Sequence, residues 1–468
     1  MNLNTRDYLT RFAIYLLPLT AFQFQEGGYG IIQLSLPIVL LLFVISISKV
    51  TSLKSSLEKS VLLKIAICFF LICIFSTSLS IYLGEENSSL YKSLGVLTSL
   101  AVFFASYYSF STSNKDIYRT SIFLRDYFNI SLFISAMVIL EFLIHKVSGN
   151  NYIYDFMNYF RHFIPYPKAQ FLDLTSLGRY KGILNETGEL GLYTLPSLSA
   201  YLSGLSISKR NLVKDVVCIV LFSFSTFLAN SFVFNALLIL IFSLAFLRSR
   251  SQFQRSLIAQ KVIRTVLGIV AVIVSLSIVY YFQNYLSISV QERISDLQAF
   301  YETGYYDNSS NLSVQVILNS YKATVYSLQK NFLIGIGLGN IDKPYNVVAT
   351  AQNISTRLNQ HDGYSMLFRL LSETGITGTL LFLSFFYIRL SQGFNALICT
   401  STKKLVFCSE SQYSEALRIN SMICSASTIC LVYALSNFPT YWNLVLPLLM
   451  GLVVKPNFFR VIYFKEKI

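Results

Sequence analysis

The chain has 468 residues, of which 54% are hydrophobic, 15% aromatic and only 13% charged, and its mean hydropathy is +0.55. A water-facing protein carries roughly 25% charged residues, so a soluble enzyme, a disordered scaffold and a coiled coil are excluded. The net charge of +14 indicates either a nucleic-acid partner or basic cytoplasmic loops of a membrane protein. The positions of the charges decide between these two.

Uncharged stretches predict the membrane spans, because a helix needs about 20 apolar residues to cross the hydrocarbon core. Four stretches without any charge predict one span each: residues 65–84, 93–114, 190–208 and 265–291. Two further single spans are predicted at 127–144 and 361–388. Three longer stretches predict two spans each: 12–48 with a glycine-rich turn at 26–30, 216–247 with a break at 229–231, and 419–454 with a break at 437–440. The total is twelve.

The Lys and Arg residues alternate between the loops in a way that predicts the topology. With the N-terminus inside, the basic clusters all fall on the cytoplasmic side, near residues 49–59, 115–119, 209–214, 248–264, 403–418 and 455–467. The short outside turns hold only Lys92. We therefore expect one polytopic membrane domain over residues 1–468, with both termini in the cytoplasm and no nucleic-acid partner. All seven cysteines lie in spans or in a cytoplasmic loop, so neither a disulfide nor a zinc site is predicted.

Two outside loops are far longer than ordinary connections, which indicates a functional role. Residues 146–187 form a loop of 42 and residues 284–360 a loop of 77. The first loop is rich in aromatic residues with interleaved basic ones. This composition is typical of helices that lie in the lipid headgroup region, and it also suits stacking on sugars.

The first loop re-enters the membrane through a segment, 178–189, that carries four ionic groups and three glycines. Arg179 can bind a phosphate with two hydrogen bonds, and Glu186 can orient a ligand or act as a base. The alternative is an interfacial arginine that extends to the headgroups beside a glutamate partner.

The second loop ends in a glycine run, 335–339, followed by Arg357 and His361 and then by a span that contains Arg369 and Glu373. Arg369 and Glu373 are four residues apart, so they predict either a structural ion pair on one helix face or a site facing a polar cavity. His361 is one of three histidines and is either an interfacial polar residue or a general base.

These segments, in this order, resemble the O-antigen polymerase and ligase superfamily of integral membrane glycosyltransferases, the Wzy type. Arg179-x-x-Gly182 with Glu186 is similar to the family's Arg-x-x-Gly-x-x-x-Glu-Pro segment. Gly335-x-Gly337-x-Gly339 is similar to the family's glycine run. His361-Asp362-x-Tyr364 is similar to its His-Asn-x-Tyr segment, and Glu373-x-Gly375-x-x-Gly378 to its Glu-x-Gly-x-x-Gly segment. Three positions depart from the pattern. Thr187 replaces the Pro, Asp362 stands where the family often has Asn, and residues 230–232 lack the Ser-Arg that many relatives carry.

The resemblance implies polymerisation of polyprenyl-pyrophosphate-linked oligosaccharide repeat units at the periplasmic face of a bacterial inner membrane. Such a transfer needs a base beside the acceptor hydroxyl and cations beside the departing pyrophosphate. We expect His361 to be the base, with Asp362 or Glu186 orienting or replacing it. The expected pyrophosphate ligands are Arg179, Lys181, Arg357 and Arg369, with Lys322 and Arg293 as secondary candidates. No Asp-x-Asp motif is present, so we expect no metal and no cofactor, and the expected protein partners are a chain-length regulator and a flippase of the same pathway.

Two other functions stay open on the sequence alone. An O-antigen ligase would use the same donor but transfer the glycan to the lipid A core, and the missing Ser-Arg disfavours it. A glycan flippase or other transporter would carry out no chemistry. Twelve spans suit a transporter, but the 77-residue loop and the lack of a matched pair of broken helices do not.

Overall fold

The computed structural model describes residues 5–17, 24–26, 30–32, 41, 44, 61–82, 88–113, 117–161, 175, 179–184, 187–205, 212–229, 231–251, 291–304, 312–352, 363–402, 410–437 and 444–453. Within these ranges the chain forms fourteen helices and one short hairpin. The helices are α1 Thr5–Leu16, α2 Val61–Tyr82, α3 Ser88–Ser113, α4 Ile117–Ser148, α5 Tyr152–Arg161, α6 Thr187–Leu205, α7 Leu212–Leu228, α8 Phe232–Ser251, α9 Gln291–Thr303, α10 Leu312–Lys330, α11 Asp342–Ala351, α12 Met366–Thr402, α13 Glu410–Asn437 and α14 Val445–Leu452.

Five of the described helices are long and apolar enough to cross a membrane. Their spanning stretches are Val61–Tyr82, Ser93–Ser111, Tyr118–Ser148, Met366–Asn395 and Glu415–Asn437. Each coincides with a predicted span, or with the first half of the long stretch 419–454. The chain is therefore helical and suited to a membrane, as predicted, while the number twelve stays a prediction. Except for its last residue, Gln291, the predicted span 265–291 lies outside the described residues.

The predicted breaks in two of the three long apolar stretches, 216–247 and 419–454, are confirmed as ends of helices. The stretch 216–247 is divided between α7, which ends at Leu228, and α8, which begins at Phe232. The stretch 419–454 is divided between α13, which ends at Asn437, and α14, which begins at Val445. The sequence at these two breaks contains asparagine, serine and proline, which favour the end of a helix because they offer the backbone other hydrogen bonds or remove a donor.

In the N-terminal apolar stretch the structure describes helix α1, two short strands on either side of the predicted glycine turn, and residues 41 and 44. Helix α1 runs from Thr5 to Leu16 and so begins before residue 12, where the predicted stretch starts. Beyond it, strand β1 (Phe24–Glu26) pairs antiparallel with β2 (Gly30–Ile32), with Gln25 opposite Ile31. The strands replace helix at the residues next to the predicted turn at 26–30, and the rest of the predicted stretch lies outside the described residues.

Helices α6 and α13 pack antiparallel to each other. At the start of α6, the carbonyl of Gly188 accepts a hydrogen bond from the hydroxyl of Tyr433, near the end of α13. At the other end, the hydroxyls of Ser203 and Ser421 are 2.6 Å apart. The start of α6 therefore lies at the same end of the bundle as the end of α13.

Helix α12 is antiparallel to both α13 and α2. The amide of Asn420, early in α13, donates to the carbonyl of Gly393, late in the spanning stretch of α12. The hydroxyl of Ser76, late in α2, donates to the carbonyl of Glu373, early in α12. We call the end that holds the ends of α2 and α13 and the starts of α6 and α12 the outer end.

The opposite end, which we call the arginine end, holds several arginines with acceptor partners. Arg11 lies 2.6 Å from Asp126 in the first third of α4, and Arg418 lies 2.7 Å from Asp215 in the first turn of α7. Arg389 is 1% exposed, and its guanidinium donates to the carbonyls of Met450 and Gly451 near the end of α14. Each of these guanidinium groups therefore has an acceptor, which avoids the high free-energy cost of burying a cation without a partner.

The buried pair of Arg418 and Asp215 gives a first prediction. We expect Asp215→Asn to lower the stability of the folded protein by about 3 kcal/mol, because the guanidinium stays buried without its counter-charge. The matched control is Glu415→Gln, since Glu415 lies 3.8 Å from the same arginine but is 40% exposed, and its effect should stay below about 1 kcal/mol. Thermal unfolding of both variants in detergent tests this, and equal effects would contradict it.

Candidate functional site

The first candidate segment is the turn formed by residues 179–184, which packs onto the last turns of α4. Glu141 holds it: the Oε2 atom accepts the backbone N–H of Lys181 at 2.8 Å and that of Gly182 at 2.7 Å. Glu141 is 1% exposed and also interacts electrostatically with the ammonium of Lys181. Because a carboxylate with two backbone donors forms strong, directional hydrogen bonds, it fixes the path of the turn.

Glycine is required at position 182 by conformation and by space. Its φ is 62°, in the left-handed region that other residues rarely adopt. A Cβ there would come within 3.1 Å of the backbone nitrogen of Val138 and 3.2 Å of the Cβ of Met137. This close approach explains why the segment carries a glycine three residues after Arg179.

Tyr180 ties the same turn to α7 and α4. Its N–H donates to the carbonyl of Leu228, the last residue of α7, at 3.1 Å. Its hydroxyl lies 3.0 Å from Nδ1 of His145. Because α7 begins at the arginine end, its last residue places the turn at the outer end. Of the two cations beside Tyr180, Arg179 is half-buried and Lys181 is 1% exposed.

Helix α5 lies beside this turn and has one apolar and one aromatic face. Ile153 and Met157 are buried and cluster with Ile183 of the turn. On the other face, Tyr152, Phe156 and Tyr159 are each more than half exposed. The sequence predicted such a helix in the first loop, and exposed rings next to a spanning helix suit a headgroup region or a sugar.

The second candidate segment is the glycine run, which pairs with a kink in α12. Ile336 and Gly337 donate their N–H groups to the carbonyls of Ser372 and Glu373 at 2.9 and 3.0 Å. In return, the N–H groups of Ile376 and Thr377 donate to the carbonyls of Phe332 and Leu333, both at 3.1 Å. We call this arrangement of residues 331–340 and 372–377 the clasp.

The kink in α12 lies at Gly375, whose φ of 62° and ψ of −167° are not helical. A kink within a membrane helix frees backbone groups that must be satisfied by other parts of the protein. The clasp supplies these partners. The glycine run is therefore a structural complement of the broken helix, in addition to any role in binding.

The clasp is also bound to α2 and α3 at the outer end. The N–H of Leu338 donates to the hydroxyl of Thr77 at 3.2 Å, and its carbonyl accepts the hydroxyl of Ser93. The amide of Asn340 donates to the hydroxyl of Ser80 at 3.0 Å. Serine and threonine residues of two spans thus fix the non-helical loop against the bundle.

Arg369 and Glu373 form the predicted i,i+4 pair. The Nε of Arg369 lies 3.0 Å from Oε1 of Glu373, and the same oxygen accepts the N–H of Gly339 at 3.1 Å. Glu373 is fully buried and Arg369 is 6% exposed. Glu373 therefore accepts a backbone N–H of the glycine run, as Glu141 accepts two backbone N–H groups of the first turn. The ion pair with Glu373 holds Arg369 at the outer end.

The other predicted site residues are placed as follows. Lys322 donates to the carbonyl of Gly304 and lies 5.0 Å above the ring of Phe300, and burial lowers the pKa of its ammonium. Gly363 lies against Ile341, directly after the glycine run, so the chain that follows His361 and Asp362 reaches the clasp. Four predicted residues lie outside the described ones: Glu186, Arg357, His361 and Asp362. The side chain of Arg293 does so too, although its backbone belongs to α9.

Sequence reasoning missed Glu141 and Asn151 as site residues. Glu141 was visible as the one charge that interrupts the predicted span 127–144, and a charge at that depth normally has a specific partner. Its partners lie 10 and about 40 residues further along the chain, so no local pattern could have identified them.

Among the described residues, no group of three or more His, Cys, Asp or Glu side chains is arranged to hold a metal ion. No family model matches the sequence, and no curated protein matches it either.

Proposed function

We propose that this chain is a membrane glycosyltransferase of the O-antigen polymerase type, which joins repeat units carried on polyprenyl pyrophosphate. The observation that supports the proposal best is the location of the two segments that carry the resemblance. The turn at 179–184 and the glycine run both lie at the outer end, and each is held by a buried carboxylate. Arg179, Lys181 and Arg369 lie on them or directly beside them.

The proposal includes twelve spans, with both termini and the arginine end on the cytoplasmic side of a bacterial inner membrane. Arg119 and Arg418, from the predicted cytoplasmic clusters, pair with Asp7 and Asp215 at the arginine end. Basic residues near the ends of spans are retained in the cytoplasm. The outer end would then face the periplasm, where the lipid-linked substrate is presented.

The proposed reaction is a transfer at the anomeric carbon of the growing glycan. A hydroxyl of the incoming unit forms the new bond to that carbon, while the bond to the pyrophosphate oxygen breaks. His361 takes the hydroxyl proton, with Asp362 or Glu186 orienting it. The arginines and Lys181 stabilise the charge that develops on the departing polyprenyl pyrophosphate. Lys322 and Arg293 stay secondary candidates for that role.

The length of the surface glycan tests this function. We expect deletion of the gene in its source bacterium to leave lipopolysaccharide with a single repeat unit. Complementation with wild type should restore the ladder on a gel, whereas His361→Ala and Arg179→Ala should not, although both proteins accumulate in the membrane.

One outcome would contradict the proposed function, and another would contradict the proposed site residues. Loss of every repeat unit on deletion would indicate the ligase or the flippase instead. Full ladders from both variants would show that His361 and Arg179 take no part in the reaction.

A further inference from the structure

Glu141 binds two separate parts of the first long loop at once. While Oε2 accepts the N–H groups of Lys181 and Gly182, Oε1 accepts the side-chain amide of Asn151 at 2.9 Å. The oxygen of that amide accepts the N–H of Tyr154 at 3.0 Å, which caps the start of α5. One carboxylate therefore joins the spanning helix α4, the turn with the two cations, and helix α5.

We propose that Glu141 is a positioning residue, which fixes Arg179 and Lys181 relative to α5 and so sets where the sugar pyrophosphate is bound. This inference rests on the proposed function for its role in the reaction. That Glu141 fixes the turn relative to α5 depends on the contacts alone. Glu141 and Asn151 are 1% and 6% exposed, so the polar contact between them is formed inside the protein. Neither residue belongs to the motifs that carry the family resemblance.

The pattern of donors and acceptors can be inverted, which makes the proposal testable. Glu141 presents only acceptors, and Asn151 presents a donor to Glu141 and an acceptor to α5. In Glu141→Gln the new amide nitrogen would face the amide nitrogen of Asn151, donor against donor. In Asn151→Asp two carboxylates would face each other. The double variant Glu141→Gln/Asn151→Asp restores the hydrogen bond between the two side chains, with donor and acceptor exchanged, and keeps acceptors for the N–H groups of Tyr154, Lys181 and Gly182.

The first measurement is hydrogen–deuterium exchange of the peptide covering residues 179–184, in detergent-purified protein. We expect exchange to be at least about tenfold faster in each single variant and to return close to wild type in the double variant, because the buried donors then regain their acceptor. Asp155→Asn is the matched control, since it removes an exposed carboxylate of α5 that no described contact joins to Glu141. Unchanged exchange in both single variants would overturn the proposal.

The second measurement is glycan length in the deletion strain. We expect the long ladder to be at least about tenfold weaker in each single variant and restored in the double variant, with Asp155→Asn unchanged. Full ladders from single variants that exchange quickly would overturn the positioning role. If the deletion strain shows that the chain does not polymerise glycan, the exchange measurement still decides whether Glu141 fixes the turn, so the two failures are distinguishable.

Discussion

Gly335→Ala is expected to prevent the clasp from forming and to remove most of the folded protein. Gly335 has a φ of 70°, and a left-handed conformation costs other residues about 1 to 2 kcal/mol. A Cβ there would also come within 2.5 Å of the backbone nitrogen of Gly375 and 2.6 Å of the carbonyl oxygen of Ser372. These are backbone atoms of a spanning helix and cannot move aside, so overpacking adds about 1 to 3 kcal/mol or more.

Gly304→Ala is the matched control for this prediction. Gly304 has the same φ of 70°, but a Cβ there would have nothing within 4 Å, so only the conformational penalty applies. Thermal stability and the yield of monodisperse protein in detergent should fall sharply for Gly335→Ala and only slightly for Gly304→Ala. Similar losses at both positions would show that the clasp contributes nothing beyond the conformation of its glycine.

The spanning helices were predictable because each depends on a local property, a run of apolar residues bounded by charges. The break after Leu228 was predictable for the same reason, since asparagine and serine interrupt the run. The N-terminal stretch shows the limit of this reasoning. A short apolar run does not distinguish a helix from a strand, and the pairing of β1 with β2 gave the strand.

For the candidate site, the sequence predicted which residues matter better than it predicted the hydrogen bonds that join them. The pair of Arg369 and Glu373 followed from their spacing, because residues four apart share a helix face. The sequence did not indicate that Glu373 would also accept the N–H of Gly339, 34 residues earlier. Nor did it indicate that the glycine run would pair with the backbone of α12. Such contacts depend on tertiary packing, which no local pattern encodes.

We expect substitution of Arg369 to have a large effect, either because Arg369 stabilises the fold or because it binds the pyrophosphate. A single and a double variant separate these two causes. We expect Arg369→Gln alone to destabilise the protein by about 3 to 5 kcal/mol, because Glu373 is fully buried and would lose its guanidinium partner. In Arg369→Gln/Glu373→Gln no charge is left, and the new carboxamide at 373 still accepts the N–H of Gly339. We therefore expect the double variant to regain most of the lost thermal stability.

Glycan length in the deletion strain then distinguishes a structural pair from a pyrophosphate ligand. If Arg369 stabilises the leaving pyrophosphate, the double variant folds but still produces a single repeat unit, because a carboxamide cannot replace the cation. A restored ladder would show that the pair is structural and would remove Arg369 from the proposed site. The buried pair at the arginine end provides the control: Asp215→Asn/Arg418→Gln neutralises a similar pair far from the proposed site, so it should recover stability and keep the full ladder. Together these variants separate the contribution of a buried charge to folding from its contribution to the reaction.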